Sequence, residues 1–179
     1  MNKVEIKNNL ILIATAVVFL LFSYLLYNLF YTSEETPIYS NTFRLENEEH
    51  ESINSNIEFS KLKAELFFDT LINNEINFIR VKPEIKINNP NTEIQIVISI
   101  EYKGKNVYWK SYKLQNQIKA IDTWQELEFV QDIHDFKLIK EHKLKIYFWN
   151  SSKSSFLVKN ILVEMFENEP DRTNIIFNE

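Results

Sequence analysis

Ile94-Gln95-Ile96-Val97-Ile98-Ser99-Ile100-Glu101-Tyr102-Lys103 is the stretch that decides the fold. Ile94, Ile96, Ile98, Ile100 and Tyr102 alternate with Gln95, Val97, Ser99, Glu101 and Lys103, the two-residue repeat of a strand with one buried face. Upstream, Ile79, Val81, Pro83, Ile85 and Ile87 alternate likewise. Pro83 has no N–H for a ladder, so this strand is expected to break there or lie at an edge. Downstream, Tyr102-Lys103-Gly104-Lys105-Asn106-Val107 reads as a hairpin turning on Gly104, the only glycine of the chain, with Val107 to Leu114 returning. Trp124 to Val130 places Leu127 and Phe129 on one face, with Trp124 expected in the core. Leu144 to Trp149 sets Leu144, Ile146 and Phe148 against Tyr147 and Trp149, and Phe156 to Phe166 closes the series. Many short strands between polar turns, with no amphipathic helix among them, predict an all-β fold: an antiparallel β-sandwich.

The N-terminal side has a different period. Leu10 to Phe30 carries fourteen Leu, Ile, Val and Phe residues and, at about 1.5 Å per residue, would span roughly 31 Å, the thickness of a bilayer's hydrocarbon core. It is expected to be a transmembrane α-helix (10–30) after a short cytoplasmic N-terminus (1–9). Lys3 and Lys7 precede it while Glu34 and Glu35 follow, which puts the C-terminal portion outside the cytoplasm, in the periplasm of a bacterial inner membrane. The competing reading is a cleaved secretory signal, whose apolar core would be shorter and followed by an A-x-A site that Leu29-Phe30-Tyr31-Thr32-Ser33 does not offer. A linker (31–41) then leads to the sandwich (42–167), beginning with a short strand at Thr42 to Glu46. An acidic tail (168–179) follows, in which Asn174 to Phe177 could add an edge strand.

Composition narrows the function. The chain of 179 residues has no cysteine, so an exported domain must stand on its core rather than on disulfides, and lipid attachment through cysteine is excluded. Setting aside Lys3, Lys7 and Glu5 leaves 18 basic and 24 acidic residues beyond the apolar segment, which argues against a nucleic-acid partner. One glycine leaves no Gly-rich phosphate loop, and neither H-E-x-x-H nor G-x-S-x-G occurs. No catalytic residue, metal ligand or cofactor is assigned. Asp132-Ile133-His134-Asp135 looks like a metal site only superficially, and Asn150-Ser151-Ser152 matches the glycosylation acceptor pattern.

Lys103-Gly104-Lys105 before Trp109, Trp124-Gln125-Glu126-Leu127, Leu144-Lys145-Ile146-Tyr147-Phe148-Trp149-Asn150, and Phe156-Leu157-Val158-Lys159-Asn160-Ile161-Leu162-Val163 together resemble the galactose-binding-like jelly roll of many carbohydrate-binding modules. The resemblance covers roughly residues 42–167. It implies a jelly-roll sandwich and a carbohydrate ligand. Family members commonly end in an Asp-Asp pair that helps hold a structural calcium; Lys159 and Asn160 stand there instead, and an ammonium group cannot ligate calcium. Two readings of Lys159 follow: an inward ammonium replacing the cation opposite Glu46 or Glu58, or a lysine at the strand margin reaching water.

The binding candidates are Tyr108, Trp109, Tyr112, Tyr147 and Trp149, since an indole or phenol plane fits the apolar face of a sugar ring, although packing uses the same side chains. Tyr147, Trp149, Tyr108 and Tyr112 are expected to form the stacking platform. The chain thus reads as an anchored, non-catalytic module for carbohydrate or cell-envelope glycan. The alternatives are a structural subunit of a membrane protein complex or, more remotely, a small hydrolase built on two facing carboxylates.

Overall fold

The computed structural model describes residues 15–26, 36–69, 71 and 75–170. The chain divides into two units, Met1–Glu35 and Thr36–Glu179. In the first, residues 15–26 are helical and apolar on all sides, with Phe19 and Leu20 well exposed. Residues 10–14 and 27–30 of the expected span lie outside the described residues, and among the described residues no helix is long and apolar enough to cross a membrane. The expected N-terminal segment 1–9 and the edge strand at Asn174 to Phe177 also lie outside them.

The second unit is two antiparallel sheets. Among the described residues its ten strands are β1 (Tyr39–Arg44), β2 (Glu51–Ile53), β3 (Phe59–Phe67), β4 (Phe78–Ile87), β5 (Gln95–Tyr102), β6 (Lys105–Lys113), β7 (Gln125–Glu126), β8 (Phe129–Asp132), β9 (Lys143–Trp149) and β10 (Phe156–Phe166). One sheet runs β1-β10-β4-β7, with β2 also pairing β10 and β8 also pairing β4; the other runs β3-β9-β5-β6. The alternation of β5 holds as read: Ile96, Ile98 and Ile100 are buried with Leu144, Ile146 and Phe148 of β9. Across from them, Ile79, Val81, Ile85 and Ile87 of β4 and Ile161, Val163 and Met165 of β10 complete one core. A β-sandwich results because each sheet can hide its apolar face only against the other.

Pro83 neither breaks β4 nor lies at an edge. It is in a continuous strand between β10 and β7–β8, paired with Ile161. Its carbonyl accepts the Leu127 N–H at 3.0 Å, and in an antiparallel ladder a residue's N–H and C=O face the same neighbour. The missing donor therefore falls opposite Leu127 and Glu128, where β7 and β8 are interrupted. On the side of this segment away from β4, the Gln117 amide donates to the Glu128 carbonyl (2.8 Å) and accepts the Glu128 N–H (3.0 Å).

A second irregularity is in β3, whose register against β9 shifts between Phe59 and Lys63. The shift frees the N–H groups of Lys61 and Leu62, and Glu51, only 3% exposed, accepts both at 2.8 Å. The acidic run Glu46–Glu51 thus ends in a buried carboxylate with a defined task. At the β5–β6 hairpin, Lys103 (φ 50°) and Gly104 (φ 75°) both have positive φ, the two-residue type I′ loop whose twist suits a hairpin.

Candidate functional site

The outer face of the β3-β9-β5-β6 sheet carries an unusual load. Pairing registers lay its outward side chains in rows. Phe59, Trp149, Gln95 and Lys113 form one row from β3 to β6. Lys63, Tyr147, Val97 and Ser111 form the next, then Glu65, Lys145, Ser99 and Trp109. A sheet face turned to water ordinarily carries polar residues. Here Phe59 is 51% and Trp109 46% exposed, and Tyr147 and Trp149 are half-buried beside them.

The aromatic rings converge. Trp109 and Trp149 meet edge to face with centroids 6.3 Å apart, and Phe59 and Tyr147 meet at 5.8 Å. Trp109 and Trp149 start two rows and two strands apart, so their side chains must lean toward each other over the central strand. Val97 and Ser99 lie between them and are each 1% exposed although they point outward. Small residues in β5 make room for large ones from β6 and β9.

The remainder of the face is ionic. Glu65 receives Lys143 and, at 2.9 Å, Lys63. Burial pushes the Glu65 carboxyl up, but hydrogen bonds and charge from Lys143 and Lys63 outweigh it and hold the pKa at about 2. Lys145 and Glu101 pair at 2.8 Å, and that hydrogen bond raises the Lys145 pKa against the opposing effect of burial.

Of the sequence candidates, Trp109, Tyr147 and Trp149 share this face. Tyr108 and Tyr112 do not: their side of β6 belongs with Ile96, Ile98 and Ile100, and both pack on the core. Tyr112 donates to the Gln131 side chain at 2.6 Å and its ring meets Phe129 of the other sheet at 5.3 Å. Tyr108 meets Phe136 at 5.7 Å, and burial followed by the charge of Asp132 pushes its phenol up. The expected platform is therefore corrected: Phe59 and Trp109 take the places of Tyr108 and Tyr112. Phe59 was missed because it precedes the register shift in β3, where alternation no longer reports a face. The register also shifts between Ile100 and Glu101, leaving Val107 unpaired, and this sets which of Tyr108 and Trp109 faces outward.

Lys159 is at a bulge between Val158 and Asn160. The extra residue switches the phase of β10, so that Val158 and Ile161 both point inward and Lys159 is partly exposed. Its ammonium lies 3.6 Å from Glu84, which also accepts the Asn160 amide at 2.8 Å, and 5.8 Å over the Trp124 ring. The partner is thus Glu84 rather than Glu46 or Glu58, which are both exposed. Trp124 likewise is not core; it is half-buried, with His50 against its edge at 5.9 Å.

At the opposite corner, Tyr108 and residues 132–136 line a shallow depression of about 410 Å³. His134 is held there between Asp132 (Nδ1, 2.6 Å) and Asp135 (Nε2, 3.1 Å), and the Asp132 hydrogen bond, followed by both carboxylate charges, raises its pKa. Both ring nitrogens are occupied, and among the described residues no group of three or more such side chains could hold a metal ion. Asn150 of the acceptor pattern is 2% exposed, and its amide nitrogen faces the carbonyls of Asn54, Ile57 and Ser154 at 2.9–3.0 Å. No glycan can be attached there without unfolding that corner.

No protein-family model and no curated protein matches this chain. Among solved structures it is similar to the glycosylation-associated protein complex Gap123 of Streptococcus agalactiae, at 9% identity over 79% of this chain and TM-score 0.44. The xylan-binding CBM22-1 domain of Paenibacillus barcinonensis Xyn10C aligns at 8% identity over 75% of this chain and 97% of its own, TM-score 0.37. Eiger TNF of S. frugiperda aligns at 8% over 79% and 100%, TM-score 0.38. The chain spans 48% of the length of the first of these.

Proposed function

We propose that this protein is a membrane-anchored, non-catalytic carbohydrate-binding module of galactose-binding-like, jelly-roll type, whose ligand lies on the outer face of the β3-β9-β5-β6 sheet. The observation that carries the proposal is the gathering of Phe59, Trp109, Tyr147 and Trp149, from three strands, on one exposed face. Exposed aromatic area that does not serve the core is area kept for a ligand. Glu65 and Glu101 are committed to lysines, so neither is poised as a general acid, which supports a binding rather than a catalytic role. The all-round apolar character of the helix at residues 15–26 supports its being the middle of a lipid-spanning segment at 10–30, with the sandwich in the periplasm.

A second reading is favoured by a specific feature of the same patch. The ring pairs meet at 69° and 74°, so edges as well as planes are presented, and Phe59 offers no polar group to a sugar hydroxyl. Such a surface also suits a protein neighbour in a membrane complex. Full-length protein in detergent, screened on a glycan array and crosslinked in membranes, separates the two. Binding to a glycan that falls about tenfold or more in Trp149→Ala, roughly 1.4 kcal/mol or more, and is unchanged in Tyr108→Phe supports the module. Binding to no sugar, with one stoichiometric membrane protein captured, supports the assembly subunit instead.

A further inference from the structure

We infer that the ligand of this face is an anionic glycan, a polysaccharide bearing carboxylates, held by the aromatic strip together with the ammonium groups that bracket it. This rests on the carbohydrate reading above and names its substrate class. Lys113 is exposed at the β6 end of the row that holds Trp149 and Gln95, and among the described residues it has no ion-pair partner. Lys63 stands at the β3 end of the next row, beside Tyr147, and shares the single Glu65 carboxylate with Lys143. Lys145 takes Glu101.

The face therefore carries four lysines against two glutamates. That surplus of positive charge is local, because the whole chain has a formal net charge of −5. Strands lie about 4.8 Å apart, so β3 and β6 are separated by roughly 14 Å. A chain crossing the strands diagonally, from Lys63 past Tyr147 and Trp149 to Lys113, would meet an ammonium group, two aromatic side chains and a second ammonium group. A neutral sugar uses only the middle of that sequence, whereas a carboxylate at either end gains a charge-assisted hydrogen bond. A single-stranded nucleic acid would also offer charge and stacking planes, but a chain with a net negative charge disfavours a polyphosphate of high charge density.

The test is affinity electrophoresis of the full-length protein in detergent through gels containing polygalacturonate, its fully methyl-esterified form, neutral xylan or oligothymidylate. The expected result is strongest retention by polygalacturonate. That retention weakens with added salt, drops at least threefold in Lys113→Gln and returns in Lys113→Arg. Equal retention by the acid and the ester, or retention by xylan alone, overturns this inference and leaves the carbohydrate reading standing. Retention by oligothymidylate as strong as by polygalacturonate also overturns it. Retention by no polysaccharide overturns both.

Discussion

Replacing Asn150 should loosen the corner where two chain segments meet. Its amide nitrogen donates to the carbonyls of Asn54 (3.0 Å), Ile57 (3.0 Å) and Ser154 (2.9 Å), and its oxygen accepts the Ser154 N–H at 2.9 Å. An amide has two hydrogens, so one is shared among the three acceptors, leaving about three full hydrogen bonds in a site that is 2% exposed. At about 1 kcal/mol net each, with a further penalty for carbonyls left buried without a donor, Asn150→Ala should cost about 3–4 kcal/mol. For a unit of this size that lowers Tm by roughly 10 °C. Asn150→Asp retains the acceptor but turns a carboxylate toward three carbonyl oxygens, so at pH 7 it should be worse than alanine. Below the carboxyl's pKa it should recover in part, because the protonated group regains one donor. Thermal unfolding of both variants followed by circular dichroism, at pH 7 and pH 4, reads these effects. An alanine variant within 1 kcal/mol of the parent, or an aspartate variant no worse than alanine at pH 7, would refute the reasoning.

Two further outcomes are expected. Lys103 adopts φ 50° at the first central position of a type I′ turn where asparagine is favoured, so Lys103→Asn should stabilise the protein by about 0.5 kcal/mol, read as a raised denaturant midpoint with unchanged slope. His142 is buried between Tyr102 and Phe136 and its Nδ1 accepts the Ile139 N–H at 3.2 Å. Burial lowers its pKa against a weaker opposing charge from Glu141. The unfolded chain thus takes up this proton at a higher pH than the folded one, so the His142 contribution to stability is present above about pH 6.5 and is lost as pH falls below that value. In an NMR titration His142 should titrate below the usual histidine range and His134 above it; the reverse order contradicts the assignment.

The strands were readable wherever alternation ran unbroken. β5 and β9 show both faces in their residue order, and β10 shows its extent from Phe156 to Phe166. What failed was parity across irregularities. The bulge at Lys159 moved that side chain from the apparent inner face to Glu84, and the shift at residues 60–62 hid the face to which Phe59 belongs. Pro83 was read as a strand break or an edge because a missing donor is visible in one strand, whereas the interruption between β7 and β8 that it faces lies in others. Glu51 had no signal at all. A carboxylate at the end of an acidic run looks solvated until the N–H groups that it serves are known.

β6 is the outermost strand of its sheet, and an open border of that kind can zip onto the same border of a neighbouring molecule. Lys105, Lys110 and Lys113 project from it, all exposed, and the offset at Val107 spoils its straightness. Two copies approaching side by side would press like charges together before any backbone contact formed. Molecules at high density could then crowd without fusing into fibrils.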